Sequence, residues 1–183
     1  MNARKSTHLA FSLLCAWWLA VLDGCTHDIH VAPVAATSMT GTIDRTLRVD
    51  VPLLALEGPD RMPGIALLKW PAEDLRQAIV DYARQRGTFM VADDEQGALT
   101  LSVRGWLWLR SRDAYHYIVH LESDLGPTGK SPVKSYVVQT DTVGSRIRWV
   151  TASDQDPIAA AVQAALDDLF TQIENDAALY RKR

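Results

Sequence analysis

The chain has 183 residues, of which 48% are apolar and 22% charged, the usage of one ordinary globular domain. Extended disorder and collagen-like repeats are excluded, and two cysteines are too few for a disulfide framework. A net charge of −3 argues against the basic footprint with which proteins wrap nucleic acid.

The first element is a targeting segment. Arg4 and Lys5 precede Leu9 to Leu22, which carry no charge. That run is short of the ~20 residues a membrane span needs and suits the apolar region of an export signal. It ends in Leu22-Asp23-Gly24-Cys25. This resembles the lipobox of bacterial lipoproteins: an aliphatic residue, a small residue at Gly24, then the cysteine that is acylated. Asp23 departs from the usual small, uncharged residue. The resemblance implies cleavage between Gly24 and Cys25 and lipidation of Cys25. Cys15 would leave with the signal. Thr26, where an inner-membrane retention signal usually has Asp, implies sorting to the outer membrane.

Residues 1–24 are thus read as signal peptide, 25–45 as a lipidated flexible tether rich in small residues, and 46–183 as one periplasmic domain. Thr46 to Leu56 alternates as a strand, and Pro52 suggests an edge position or an early end to the strand. Glu57 to Gly64 is a loop. Pro71 to Arg86 is a helix, with Pro71 at N1, Glu73 and Asp74 at its positive end, Arg84 and Arg86 at its negative end, and Gly87 beyond. Thr88 to Ala92 is a short strand and Asp93 to Gly97 an acidic turn. Ala98 to Arg110 is the strongest strand. Its Leu99, Leu101, Val103, Leu107 and Leu109 face one way, and Arg104, Trp106, Trp108 and Arg110 the other. Strands follow at Ala114 to Glu122 and Val133 to Asp141, separated by a loop from Asp124 to Pro132 that holds Gly126, Pro127, Gly129 and Pro132, with Arg146 to Val150 extending or following the last strand. Asp156 and Pro157 open a second helix as N-cap and N1. Its stripe is Ile158, Ala161, Val162, Ala165, Leu166, Leu169 and Ile173. Asp167 and Asp168 lie on its solvated side. This order gives an α+β two-layer sandwich: two helices on one face of a mostly antiparallel four- to five-stranded sheet.

No catalytic signature is present: no G-x-S-x-G, Walker loop, H-E-x-x-H or G-x-G-x-x-G. His116 and His120 share a strand face but stand about 13 Å apart along the strand, too far to chelate one metal. His27 and His30 lack the partners of a zinc site. The chain reads as non-enzymatic, without cofactor or metal. The unusual feature is Trp106 and Trp108 between Arg104 and Arg110. Helices on the leucine face would leave these indoles outward, with the chemistry of a binding hot spot. Trp149, near Arg146 and Arg148, could extend the patch.

Glu73 to Gly87, Leu99-x-Leu-x-Val103 and the closing helix from Asp156 to Leu169 together resemble the YajG-like group of small outer-membrane lipoproteins. The same order is similar, more loosely, to auxiliary lipoproteins of envelope ABC transport systems. The resemblance implies a membrane-tethered accessory protein and assigns no catalytic residue. The expectation is a lipid-anchored protein on the periplasmic side of the outer membrane. It would dock onto a protein of a transport or cell-wall assembly, with Arg104, Trp106, Trp108 and Arg110 as the contact. The sequence leaves its oligomeric state open. The alternative is a periplasmic carrier or chaperone for a lipid or other apolar ligand, held in a cavity lined by Leu107, Leu109 and the helix stripes.

Overall fold

The computed structural model describes residues 26–35, 43–91, 97–148 and 154–181. Cys25, the signal, most of the acidic turn at 93–97, and Trp149 lie outside the described residues. The elements are β1 (His27–Asp28), β2 (Ile43–Glu57), β3 (Leu68–Lys69), α1 (Ala72–Arg86), β4 (Phe89–Val91), β5 (Leu99–Ser111), β6 (Tyr115–Pro127), β7 (Lys134–Val143) and α2 (Gln155–Asn175).

Five strands form one sheet in the order β4-β2-β5-β6-β7. Both helices pack against one face of it, giving the expected α+β sandwich. The sheet is mixed: β2 pairs in parallel with β4 and with β5, while the longer β5-β6 and β6-β7 pairings are antiparallel. The parallel pairs arise because α1 carries the chain back across the sheet before β4 and β5 begin, which a direct hairpin cannot do. Pro52 does not end its strand. It sits where the β2–β5 register shifts, between Asp50 and Leu53, beyond the stretch of β2 that β4 covers. A bulge tolerates the missing donor.

The predicted core assembles. Leu99, Leu101, Val103, Leu107 and Leu109 are all buried, as is every residue of the predicted α2 stripe. Gly105 interrupts the leucine row because a Cβ there would lie 3.0 Å from both Leu54 and Leu75 side-chain carbons. It makes room for α1 to seat on the sheet. Helix α1 ends at Gly87 in the left-handed conformation, φ 73°, as its C-terminal glycine predicts. The starts are displaced by one or two residues: Pro71 is the N-cap of α1, and Asp154 that of α2.

Two polar residues read as solvated or terminal are structural. Arg86 is only 5% exposed. Its Nε and Nη2 donate to the two Glu174 oxygens at 2.8 and 2.7 Å, and its Nη1 to the Tyr82 hydroxyl at 2.8 Å. Thr88 also donates to Glu174. Asp167 accepts from the Tyr82 hydroxyl and from Gln163. This network pins α1 to α2. Burial pushes the Tyr82 hydroxyl up to about 12, with Asp167 adding to the rise and Arg86 opposing it. Burial alone would raise the Glu174 carboxyl, but the Arg86 and Thr88 hydrogen bonds outweigh it and hold it below its usual range.

Residues 26–35, expected to belong to a flexible tether, are strapped onto the domain. β1 pairs with β3 and Ile29 is buried. His30 lies 3.0 Å from Asp74 at the start of α1. The backbone N–H groups of Val34 and Ala35 donate to Gln163 on α2 and Gln85 near the end of α1. Residues 43–45 already belong to β2.

Candidate functional site

The strands carry alternate side chains to opposite faces, so the helix-covered leucine row dictates a second row on the open face. β5 contributes Arg104, Trp106, Trp108 and Arg110 there, each half-buried. The structure therefore places all four predicted contact residues in one line on the face without helices. The register adds residues that the sequence did not connect with them. Arg104 pairs with Glu122, Trp106 with His120, Trp108 with Ile118 and Arg110 with His116 on β6. On the other side Leu53 stands opposite Arg104 and Ala55 opposite Trp106.

His120 is the hub of this face. Its ring stacks on Trp108 at 5.3 Å and 19° and tilts against Trp106 at 5.4 Å and 57°. Its Nε2 lies 3.5 Å from Glu122. Among the described residues its buried Nδ1 has no hydrogen-bond partner. A single imidazole thus fixes both indoles, using the cross-strand pairing that stabilises sheets. His116, on the same face, reaches Asp141 of β7 at 3.1 Å.

Both arginines are engaged. Arg104 lies 3.2 Å from Glu122 and 3.5 Å from Asp124. Arg110 meets Glu57 at 2.5 Å, donates to the Gly58 carbonyl at 3.2 Å, and stands over the Trp108 ring at 5.9 Å. Arg110 braces Trp108 directly, and Arg104 holds Glu122, which meets the His120 ring between the two indoles; both arginines are paired rather than free cations for an acidic ligand. The exposed apolar groups on the same face include Leu53 of β2 and Val137 and Val143 of β7. The surface therefore combines rigid, half-exposed indoles with satisfied charges, a composition suited to a protein contact.

A polar cleft of about 400 Å³ opens at the far end of the same face, where Arg48, Thr100, Ser102 and Asp124 meet the β6–β7 loop. Leu107 and Leu109, the expected lining of an apolar cavity, are fully buried in the core. Among the described residues no group of His, Cys, Asp and Glu side chains could hold a metal ion. No described helix is long and apolar enough to cross a membrane.

No family model and no curated protein matches the chain. Similarity appears among solved structures. Protein XCC0632 from Xanthomonas campestris, of family model DUF330, superposes with a TM-score of 0.52 at 15% identity, over 81% of this chain and 92% of that one. Protein CT253 from Chlamydia trachomatis aligns with a TM-score of 0.45 at 8% identity, over 76% of this chain and 98% of that one. A minor lipoprotein from Acinetobacter baumannii gives 0.37 at 14%, over 68% and 91%. The first of these shows a shared fold.

Proposed function

We propose that this chain is a non-catalytic lipoprotein, anchored through Cys25 on the periplasmic face of the outer membrane, that docks onto a protein of an envelope transport or cell-wall assembly. One observation carries the docking reading. The open face presents Trp106 and Trp108 half-exposed and locked by His120, with Arg104 and Arg110 already neutralised at its two ends. Pre-ordered aromatic side chains lose little entropy on binding, and their burial supplies most of an interface's energy. The anchor reading is supported by the basic, apolar and Leu22-Asp23-Gly24-Cys25 segments in order, and the sorting reading by Thr26.

The test is a Trp106→Ala, Trp108→Ala double variant of the full-length protein, expressed in its native envelope. Its partner should be lost from co-purification, with binding at least ~30-fold weaker, about 2 kcal/mol, as expected for hot-spot residues. A folded double variant that retains its partner fully refutes the docking surface.

A further inference from the structure

The position of β1 fixes where a lipid on Cys25 would leave the domain. The His27 N–H donates to the Leu67 carbonyl at 2.8 Å, and β1 pairs residue by residue with Leu68 and Lys69. Cys25 is two residues from His27, and two residues span at most about 7 Å. An acyl group on Cys25 therefore starts beside the loop between β2 and β3, with no slack between it and the folded chain.

That loop is unusual for an exposed connection. Met62 is 65% exposed and Leu67 44%, and Leu67 is held at φ 63°, a left-handed backbone that a side chain of its kind rarely adopts. A second segment joins it. The Arg148 side chain donates to the Ala66 carbonyl at 2.9 Å, which brings Ile147, 61% exposed, to the same end. Exposed Arg61, Lys69 and Arg146 flank these apolar groups, against the carboxylates of Asp28 and Asp60. Apolar side chains ringed by cations at the root of a lipid anchor match the chemistry of a membrane interface.

We infer that this end of the domain rests on the lipid surface, with Met62, Leu67 and Ile147 among the headgroups and Arg61, Lys69 and Arg146 near lipid phosphates. The domain is then oriented, not merely tethered. The strands stand away from the membrane, and the Arg110 end of the tryptophan row, joined to Gly58 in the same loop, lies closest to the lipid. This inference rests on the lipidation of Cys25.

The test uses the full-length protein purified from its native membrane, with single substitutions Met62→Cys, Leu67→Cys and Ile147→Cys. The introduced thiol is the only free one once the signal is removed and Cys25 is acylated. Each is labelled with a fluorophore and placed in phosphatidylethanolamine–phosphatidylglycerol vesicles carrying brominated acyl chains. Ser131→Cys, exposed in the β6–β7 loop about 40 Å away along the strands, is the reference. Quenching at the three sites should exceed that at Ser131 several-fold. Mass spectrometry of the mature N-terminus separates the two readings. Acylated Cys25 with quenching no greater than at Ser131 overturns the orientation and leaves the lipoprotein reading standing. Unmodified Cys25 overturns both.

Discussion

The two faces of the sheet solve different problems with the same five strands. On the covered face the β5 side chains from Leu99 to Leu109 are apolar or absent, and among the described residues the buried charges are closed into two networks: Arg86 and Glu174 with Tyr82 and Asp167 between the helices, and Asp154 with Tyr117 and Arg148 at the start of α2. On the open face β5 alternates into Arg104, Trp106, Trp108 and Arg110, and its charges are paired across strands at the surface. The first face holds the fold through burial. The second holds side chains in place without burying them, which suits a surface kept ready for a partner. Substitutions on the two faces should therefore separate stability from binding.

The largest effect on stability is expected at Arg86→Ala. It leaves Glu174 buried and unpaired, and loss of one partner of a buried pair costs roughly 3–5 kcal/mol. Urea unfolding measures it, and a loss below about 1 kcal/mol would show that the network does not hold the helices together. Next is Leu107→Ala, fully buried beneath them, at about 2–5 kcal/mol. Its partner binding should change only in proportion to the unfolded fraction.

The same network contributes to both pH limits, and burial also raises the Tyr117, Tyr136 and Tyr180 hydroxyls on the alkaline side. The folded carboxyl of Glu174 titrates below its unfolded value of 4.5. Its stabilisation is thus complete above that value and drains as pH falls through the folded one. The Tyr82 hydroxyl shifts the other way, from 10 to about 12. Its stabilisation is complete below pH 10 and is lost as pH rises towards 12. Thermal melts across pH should show both limbs, with Glu174→Gln flattening the acid one and Tyr82→Phe the alkaline one. An unchanged acid limb in Glu174→Gln would assign it to other carboxylates.

The smallest stability effect is expected at Arg104→Ala. Its partners Glu122 and Asp124 are partly exposed, and such surface pairs are worth about 0–1 kcal/mol. If Arg104 is a strut for the indoles, partner affinity should fall more than stability does. A stability loss that matches or exceeds the affinity loss would contradict that role.

Much of this contrast was legible in the sequence. Strict alternation in β5 separates the leucine and tryptophan faces, and Gly87 and the apolar stripes mark the helices to within a residue or two. What periodicity cannot carry is pairing. Nothing local in Thr46 to Leu56 says that β4 and β5 will flank it in parallel, and nothing in His120 says that it will stack on two indoles. Gly126 and Pro127 read as loop, yet close β6 against Leu99 and Thr100. Arg86 and Asp167 read as helix-end and solvated charges, because their partners lie more than eighty residues away. The strap at 26–35 was missed because a two-residue strand and one buried Ile29 leave no period to detect.

The most direct test of the account places a photo-crosslinking residue at Trp108, and separately at Asp168 on the exposed side of α2, in the full-length protein in its native envelope. The account predicts a discrete protein adduct from position 108 and none from position 168. Adducts from 168 alone, or lipid adducts alone from 108 in a folded, membrane-bound protein, would contradict docking through the open face.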